Sequence, residues 1–207
     1  MNELSVKECL TTGWADFSAR PWLLIGSSII IFIASMIADI PRTAAHGMHG
    51  GAAIAVGVIG FLVSIGITFL IAMGKTAFYL RAHDATNEVG LKDLWHPRPY
   101  WKFVGTSLLA GIATIIGLIL LIVPGIIVGI IVGFAVYIVI DRGLAPLDAL
   151  RESARITKGN RWRLFLLGLA VLGINIIGFC LLLVGLFVTM PITALAVMHA
   201  YRTLSAT

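Results

Sequence analysis

Charge is what this chain most lacks. Only 12% of its 207 residues are Asp, Glu, Lys or Arg, against roughly 25% in soluble domains. That shortage excludes a large solvated surface and, with it, a separate soluble domain. Acidic residues are the scarcer sign, ten against fifteen basic ones, for a net charge of +5. The excess does not point to nucleic acid, because no folded basic domain is left to carry it. Cysteine is nearly absent as well. Cys9 and Cys180 are expected on opposite sides of a membrane, which excludes an internal disulfide and leaves no thiolate metal motif. Ionisable groups are missing from the apolar runs. Asp39 and Lys75 fall at expected span ends, His199 lies within a turn of the surface, and only Asn175 with scattered Ser and Thr sits deeper. Ion and proton pathways are ordinarily marked by such groups. Nor do a nucleophile and base, paired carboxylates or a glycine-rich phosphate loop share one location. Tyr79, Arg81, His83, Asp84 and His96 are close in sequence and read as solvated loop residues. An enzyme needs convergent titratable groups, so none is expected here, and no cofactor.

What remains is hydrophobicity, with 59% apolar residues and a mean hydropathy of +1.00. The apolar runs predict spans over 22–40, 53–74, 103–123, 125–140, 164–180 and 182–200. A single helix over 103–140 would be about 57 Å long, too long for one crossing of a hydrocarbon core about 30 Å thick. Pro124 and Gly125 mark the reversal, and 164–200 divides in the same way near Gly185. The expected fold is an all-α membrane protein, a single integral membrane domain over 1–207 with six transmembrane helices in three hairpins. Full spans and re-entrant hairpins remain alternatives for the two C-terminal pairs. With both termini in the cytoplasm, Arg42 is the only basic residue outside, the positive-inside pattern of a bacterial inner-membrane protein. Trp14, Trp22, Trp95, Trp101 and Trp162 fall at the same ends, where indole rings prefer the interface.

Amphipathic stretches are expected to lie on the membrane at 3–19, 88–96 and 145–159. The first carries an S-x-x-E capping box, Ser5 and Glu8, and its charges exclude a signal peptide. The second and third hairpins align at an offset of 61 residues, pairing Trp101 with Trp162, Lys102 with Arg163 and Gly117 with Gly178. Corresponding spans then cross in one direction. That is a parallel repeat, unlike the inverted repeats that build carrier sites.

The run "VPGIIVGIIVGFAVYIVIDRGLAPLDALRESARITKGNRWRLF", followed by "GLFVTMPITALAVMHAYRTL", carries Pro124–Gly125 and the A-x-x-x-S-x-x-x-x-K-G pattern of Ala149, Ser153, Lys158 and Gly159. A Thr-x-Pro and a terminal Tyr-Arg-x-Leu complete it. On these motifs the chain resembles a group of uncharacterised bacterial six-span integral membrane proteins, related to the membrane region of some glycerophosphodiester phosphodiesterases. The resemblance implies the membrane architecture but not the phosphodiesterase activity, because the catalytic domain of those enzymes is not in this sequence.

Three candidate sites stand out. Gly125, Gly129 and Gly133 form a small-residue stripe, which serves helix packing within one subunit, an oligomer interface or a narrow pore lining. In the most polar segment, Pro146 opens a helix ending at Gly159, with Leu147, Leu150 and Ala154 on one face. Its Arg151, Arg155 and Lys158, with Arg161 and Arg163, are placed to meet anionic lipid headgroups or a partner protein. His46, Met48 and His49 in the outer loop are an incomplete set of soft-metal ligands. Pro191 is expected to kink the last span. The expected role is a non-catalytic membrane scaffold or envelope-homeostasis factor contacting lipids and partner proteins or further copies of itself. The alternatives are a transporter or channel for a small or lipid-like solute, which requires a polar or amphiphilic cavity, and metal handling.

Overall fold

The computed structural model describes residues 4–43, 51–85, 89–90, 93–94, 99–181 and 184–206, and these are helical with no strand among them. In chain order the helices are α1 (Val6–Ala19), α2 (Pro21–Thr43), α3 (Gly51–Asp84), α4 (Tyr100–Leu120), α5 (Ile122–Val132), α6 (Ala135–Arg142), α7 (Pro146–Ile156), α8 (Arg161–Cys180) and α9 (Leu186–Ser205). Five stretches are long and apolar enough to cross a membrane: α2, α3, α4, α5 with α6, and α8. α9 is not among them. Pro191, Ile192, Thr193, Leu195, Ala196, Met198, Ala200, Tyr201 and Leu204 are all buried, so its second half packs against protein, where polar side chains are tolerated.

The core gathers around α9 and draws on the ends of its neighbours. α3 is 34 residues long, about 51 Å, and its two ends differ. Phe78, Tyr79, Leu80 and Ala82 are buried, whereas Ile54, Val58, Ile59 and Leu62 are exposed. α2 has the mirror arrangement, with Leu24 and Ser27 buried and Met36, Ile37 and Ile40 exposed. Apolar surface on this scale suits a lipid solvent and no aqueous one.

Glycine pairs set the two tight turns. A single extended residue, Leu121, separates α4 from α5. A methyl group at Gly117 would lie 2.9 Å from Gly125 Cα, and one at Gly185 would lie 2.9 Å from Gly178 Cα. Only glycine permits backbones this close. Gly117 and Gly178 are the positions that the 61-residue offset pairs, so the internal repeat has a structural counterpart.

One expectation needs correction: the reversal expected at Pro124–Gly125 falls at Leu121, and both residues lie inside α5. The span expected over 125–140 is present within Ile122–Arg142, with an interruption at Gly133–Phe134 between α5 and α6. Ser153 of α7 fills the break: its hydroxyl donates to Ile131 O at 2.6 Å and accepts from Phe134 N at 3.2 Å. This satisfies backbone groups that the interruption frees. α7 buries Ala149, Ser153 and Ile156 and leaves Leu147 58% exposed, with Leu150 and Ala154 half-buried. The structure uses a small residue and a hydroxyl to reach the break. Of the stretch expected to lie on the membrane at 88–96, residues 88, 91–92 and 95–96 lie outside the described residues, and Asp93–Leu94 form a 3₁₀ turn. Its Asp93 pairs with Arg81, and a side chain at Gly74 would collide with Leu94 O.

α1 starts at Ser5, whose hydroxyl accepts from Glu8 N at 3.4 Å, one half of the expected capping box. It is also docked onto α9. A methyl group at Gly13 would lie 2.7 Å from Ile192 O and 2.8 Å from Ala196 N, so the two backbones touch while Trp14 stays exposed.

Candidate functional sites: a polar cavity and a basic-rimmed groove

α2, α3, α6, α8 and α9 line an open cavity of about 300 Å³. Its polar side chains come from five different elements. Ser28 Oγ donates to Leu24 O at 3.0 Å, which leaves it to accept from Tyr79 OH at 3.2 Å. Asn175 Nδ2 donates to Val171 O at 2.9 Å and to Thr193 Oγ1 at 3.2 Å. These two bonds fix the amide's orientation, and Asn175 Oδ1 is left buried without a partner. Buried acceptors are ordinarily satisfied, so an orphan here marks the site as unusual. Ile31, Val171, Met190, Ala194 and Val197 supply apolar wall between the polar groups.

Lys75 also lines this cavity. The sequence reading put it at a span end, but α3 runs on to Asp84, so Lys75 lies nine residues inside the helix. No ion pair or hydrogen bond to its ammonium occurs among the described residues. Tyr137 of α6 lines the same cavity, and its ring packs against Phe134 and Tyr201. Sequence reasoning missed this constellation because its members are spread from residue 28 to residue 197. The available signal was the one cation interrupting an otherwise apolar run.

A second concavity, about 550 Å³, lies between α5 and α8. Val123, Ile126, Ile127 and Ile130 form one wall, and Arg161, Trp162 and Phe165 from the first turns of α8 form the other. Trp162 is 69% exposed and stacks on Phe165 with centroids 5.3 Å apart. The turn into α8 runs through Gly159 at φ 89°, where a side chain would be strained.

The five predicted cations divide here. Arg155 Nε and Nη2 donate to Glu152 at 2.7 and 2.6 Å, and Arg142 adds a third bond to the same carboxylate at 2.9 Å. The Arg155 hydrogen bonds hold the Glu152 carboxyl below the usual range, and Glu152 in turn raises Arg155. Arg151 lies 3.5 Å from Asp148. Lys158 and Arg161 have no such carboxylate partner among the described residues, and both are exposed. Arg163 is half-buried.

The glycine stripe is divided too. Leu118 of α4 packs against Gly125, and a methyl group at Gly129 would meet Thr114 at 3.6 Å, whereas Gly133 sits at the helix break. His46, Met48 and His49 lie outside the described residues, and among those described no group of acidic, His or Cys side chains is arranged to hold a metal.

Below the cavity, where α9 ends, Arg202 Nη1 donates to Asp141 at 2.9 Å, Arg202 Nε donates to Asp84 at 2.8 Å, and Tyr201 OH donates to Asp141 at 2.8 Å. The terminal Tyr-Arg-x-Leu motif thereby ties α9 to α3 and α6. His83 Nδ1 lies 2.6 Å from Asp16 Oδ2, joining α1 to α3.

Among proteins of known sequence, the chain is 29% identical over 153 residues to the uncharacterized protein Rv2560 of Mycobacterium tuberculosis. It shows the same identity over the same length to the uncharacterized protein Mb2590 of Mycobacterium bovis. The match takes in 73% of this chain and 47% of each relative, so the chain spans about half the length of the curated relatives it matches. No solved structure matches. Residues 102–207, which hold the helix break, its serine plug and the Tyr-Arg-x-Leu clamp, match the family described as "Protein of unknown function (DUF975)", and the chain belongs to that family.

Proposed function

We propose that this is a non-catalytic inner-membrane protein, six spans in three hairpins with both termini cytoplasmic, that works as a lipid-contacting scaffold. One observation carries the reading: an apolar groove bordered by an exposed indole, Trp162, and by Arg161, a cation with no carboxylate partner among the described residues. Acyl chains fit the isoleucine wall, an anionic headgroup fits Arg161 with Lys158 nearby in sequence, and an indole suits the interface. Arg151 and Arg155 contribute less, since Asp148 and Glu152 already neutralise them. Partner proteins or further copies of the chain would meet the same basic face. The kinship with the membrane region of some glycerophosphodiester phosphodiesterases, and metal handling through His46 and His49, remain proposals. Replacing both histidines and measuring metal binding tests the latter.

Native mass spectrometry of the protein released from mild detergent, after incubation with equal amounts of phosphatidylglycerol and phosphatidylethanolamine, tests the lipid reading. The wild type is expected to retain the anionic lipid preferentially. Juxtamembrane cations contribute about 1 kcal/mol each. The double variant Lys158→Ala/Arg161→Ala is therefore expected to bind phosphatidylglycerol about 30-fold more weakly. Equal retention of the two lipids by the wild type would overturn the reading.

A further inference from the structure

The cavity around Lys75 has a composition that lipid contact does not explain. Among the described residues, its lining contains one cation and no carboxylate. An uncompensated ammonium inside a membrane bundle is costly, and such residues in membrane proteins face a pathway or pair with a partner. Lys75 has no partner among the described residues, and it is an exposed residue on the lining of this cavity. The Tyr137 hydroxyl on the same lining also lacks a hydrogen-bond partner among the described residues. By contrast, the Ser28 and Tyr79 hydroxyls bond each other, and the Asn175 amide nitrogen is bonded to Thr193 while its Oδ1 stays without a partner. Two donors are thus left over, while the wall beside them is aliphatic.

We propose that this cavity binds a small monocarboxylate. The carboxylate accepts from the Lys75 ammonium and the Tyr137 hydroxyl, and a short apolar body lies against Ile31, Val171 and Val197. A cavity of about 300 Å³ is at the small end of ligand sites, which favours a short chain over a long one. An amine is disfavoured by Lys75, and an uncharged alcohol leaves the ammonium uncompensated. The site shares no lining residue with the groove at Arg161, so the inference stands apart from the lipid-scaffold reading.

The probes are butyrate, n-butanol and butylamine, titrated calorimetrically into the full chain in detergent. Butyrate is expected to bind and the other two are not. Lys75→Met removes a charged hydrogen bond and is expected to weaken butyrate by about tenfold or more. Tyr137→Phe is expected to weaken it less, and Lys75→Arg is expected to retain it. Lys158→Ala/Arg161→Ala is expected to bind butyrate like the wild type, which separates this site from the groove. The wild-type preference for butyrate over n-butanol decides the matter even if Lys75→Met fails to fold. Equal response to the two probes, or unchanged butyrate affinity in folded Lys75→Met, would overturn the assignment. So would a phospholipid, seen by native mass spectrometry, that the wild type retains and Lys75→Met does not, because the anion would then be a lipid headgroup.

Discussion

Ser153 carries more structure than its size suggests. Its single hydroxyl serves the last carbonyl region of α5 and the amide opening α6, and it is wholly buried. Removing it leaves both backbone groups buried and unpaired, a loss of about 1–3 kcal/mol for each unsatisfied group. Ser153→Ala is therefore expected to lower the thermal midpoint in detergent clearly. Ser153→Thr keeps the hydroxyl but adds a methyl group to a packed site. The measurement is thermal unfolding followed by circular dichroism, and a midpoint for Ser153→Ala equal to wild type would show that the break is satisfied by other means. From sequence, Ser153 stood out only as one letter of a family pattern. Its role needed the fold, because Ile131 and Phe134 lie about twenty positions earlier in the chain. Lys75 is the same lesson in reverse. Its letter is conspicuous, but the apolar run places it at a span end, and only the continuation of α3 to Asp84 brings it into a cavity.

Among the elements, α7 was legible in extent. Pro146 at its first position and Gly159 beyond its end bracket it as propensities dictate. Its buried face runs through Ala149, Ser153 and Ile156, small-residue and hydroxyl positions that only the fold singles out. Outside, Glu152 anchors α7 to Arg142, which also donates to Ser205 O at 3.1 Å near the end of α9. Because Arg155 and then Arg142 depress the Glu152 carboxyl in the folded state, its contribution is fully present above the ordinary glutamate value of about 4.3. It fades as pH falls through the lower folded value. The difference in thermal midpoint between wild type and Glu152→Gln is expected to stay constant from about pH 8 to about pH 5 and to shrink below about pH 4. A difference that shrinks between pH 7 and pH 6 would mean that another group holds α7. The magnitude is small, since the pair is partly solvated and salt-screened.

For the whole molecule, apolar runs revealed the long helices because lipid-facing surface must be apolar, whereas α9, partly buried against its neighbours, carries His199 and Arg202 within its length. The direction in which α8 and α9 cross is where two natural thiols become informative. Cys9 is buried in α1, and burial pushes its thiol up to about 11. At neutral pH its thiolate fraction is then about one part in ten thousand, and thiolate is the reactive form. Cys180 is exposed at the end of α8. The native chain is thus a single-thiol reporter. If α8 and α9 form a full hairpin, a membrane-impermeant maleimide added to intact spheroplasts is expected to label Cys180 once. Cys180→Ser should abolish the label, and Cys9 should appear only after denaturation. Label that arrives only when the membrane is permeabilised would place the α8–α9 turn on the cytoplasmic side, as a re-entrant pair. The parallel glycine geometry at Gly117–Gly125 would then predict the same return for α4 and α5, reducing the bundle to a single full hairpin, α2 with α3, and two half-inserted ones.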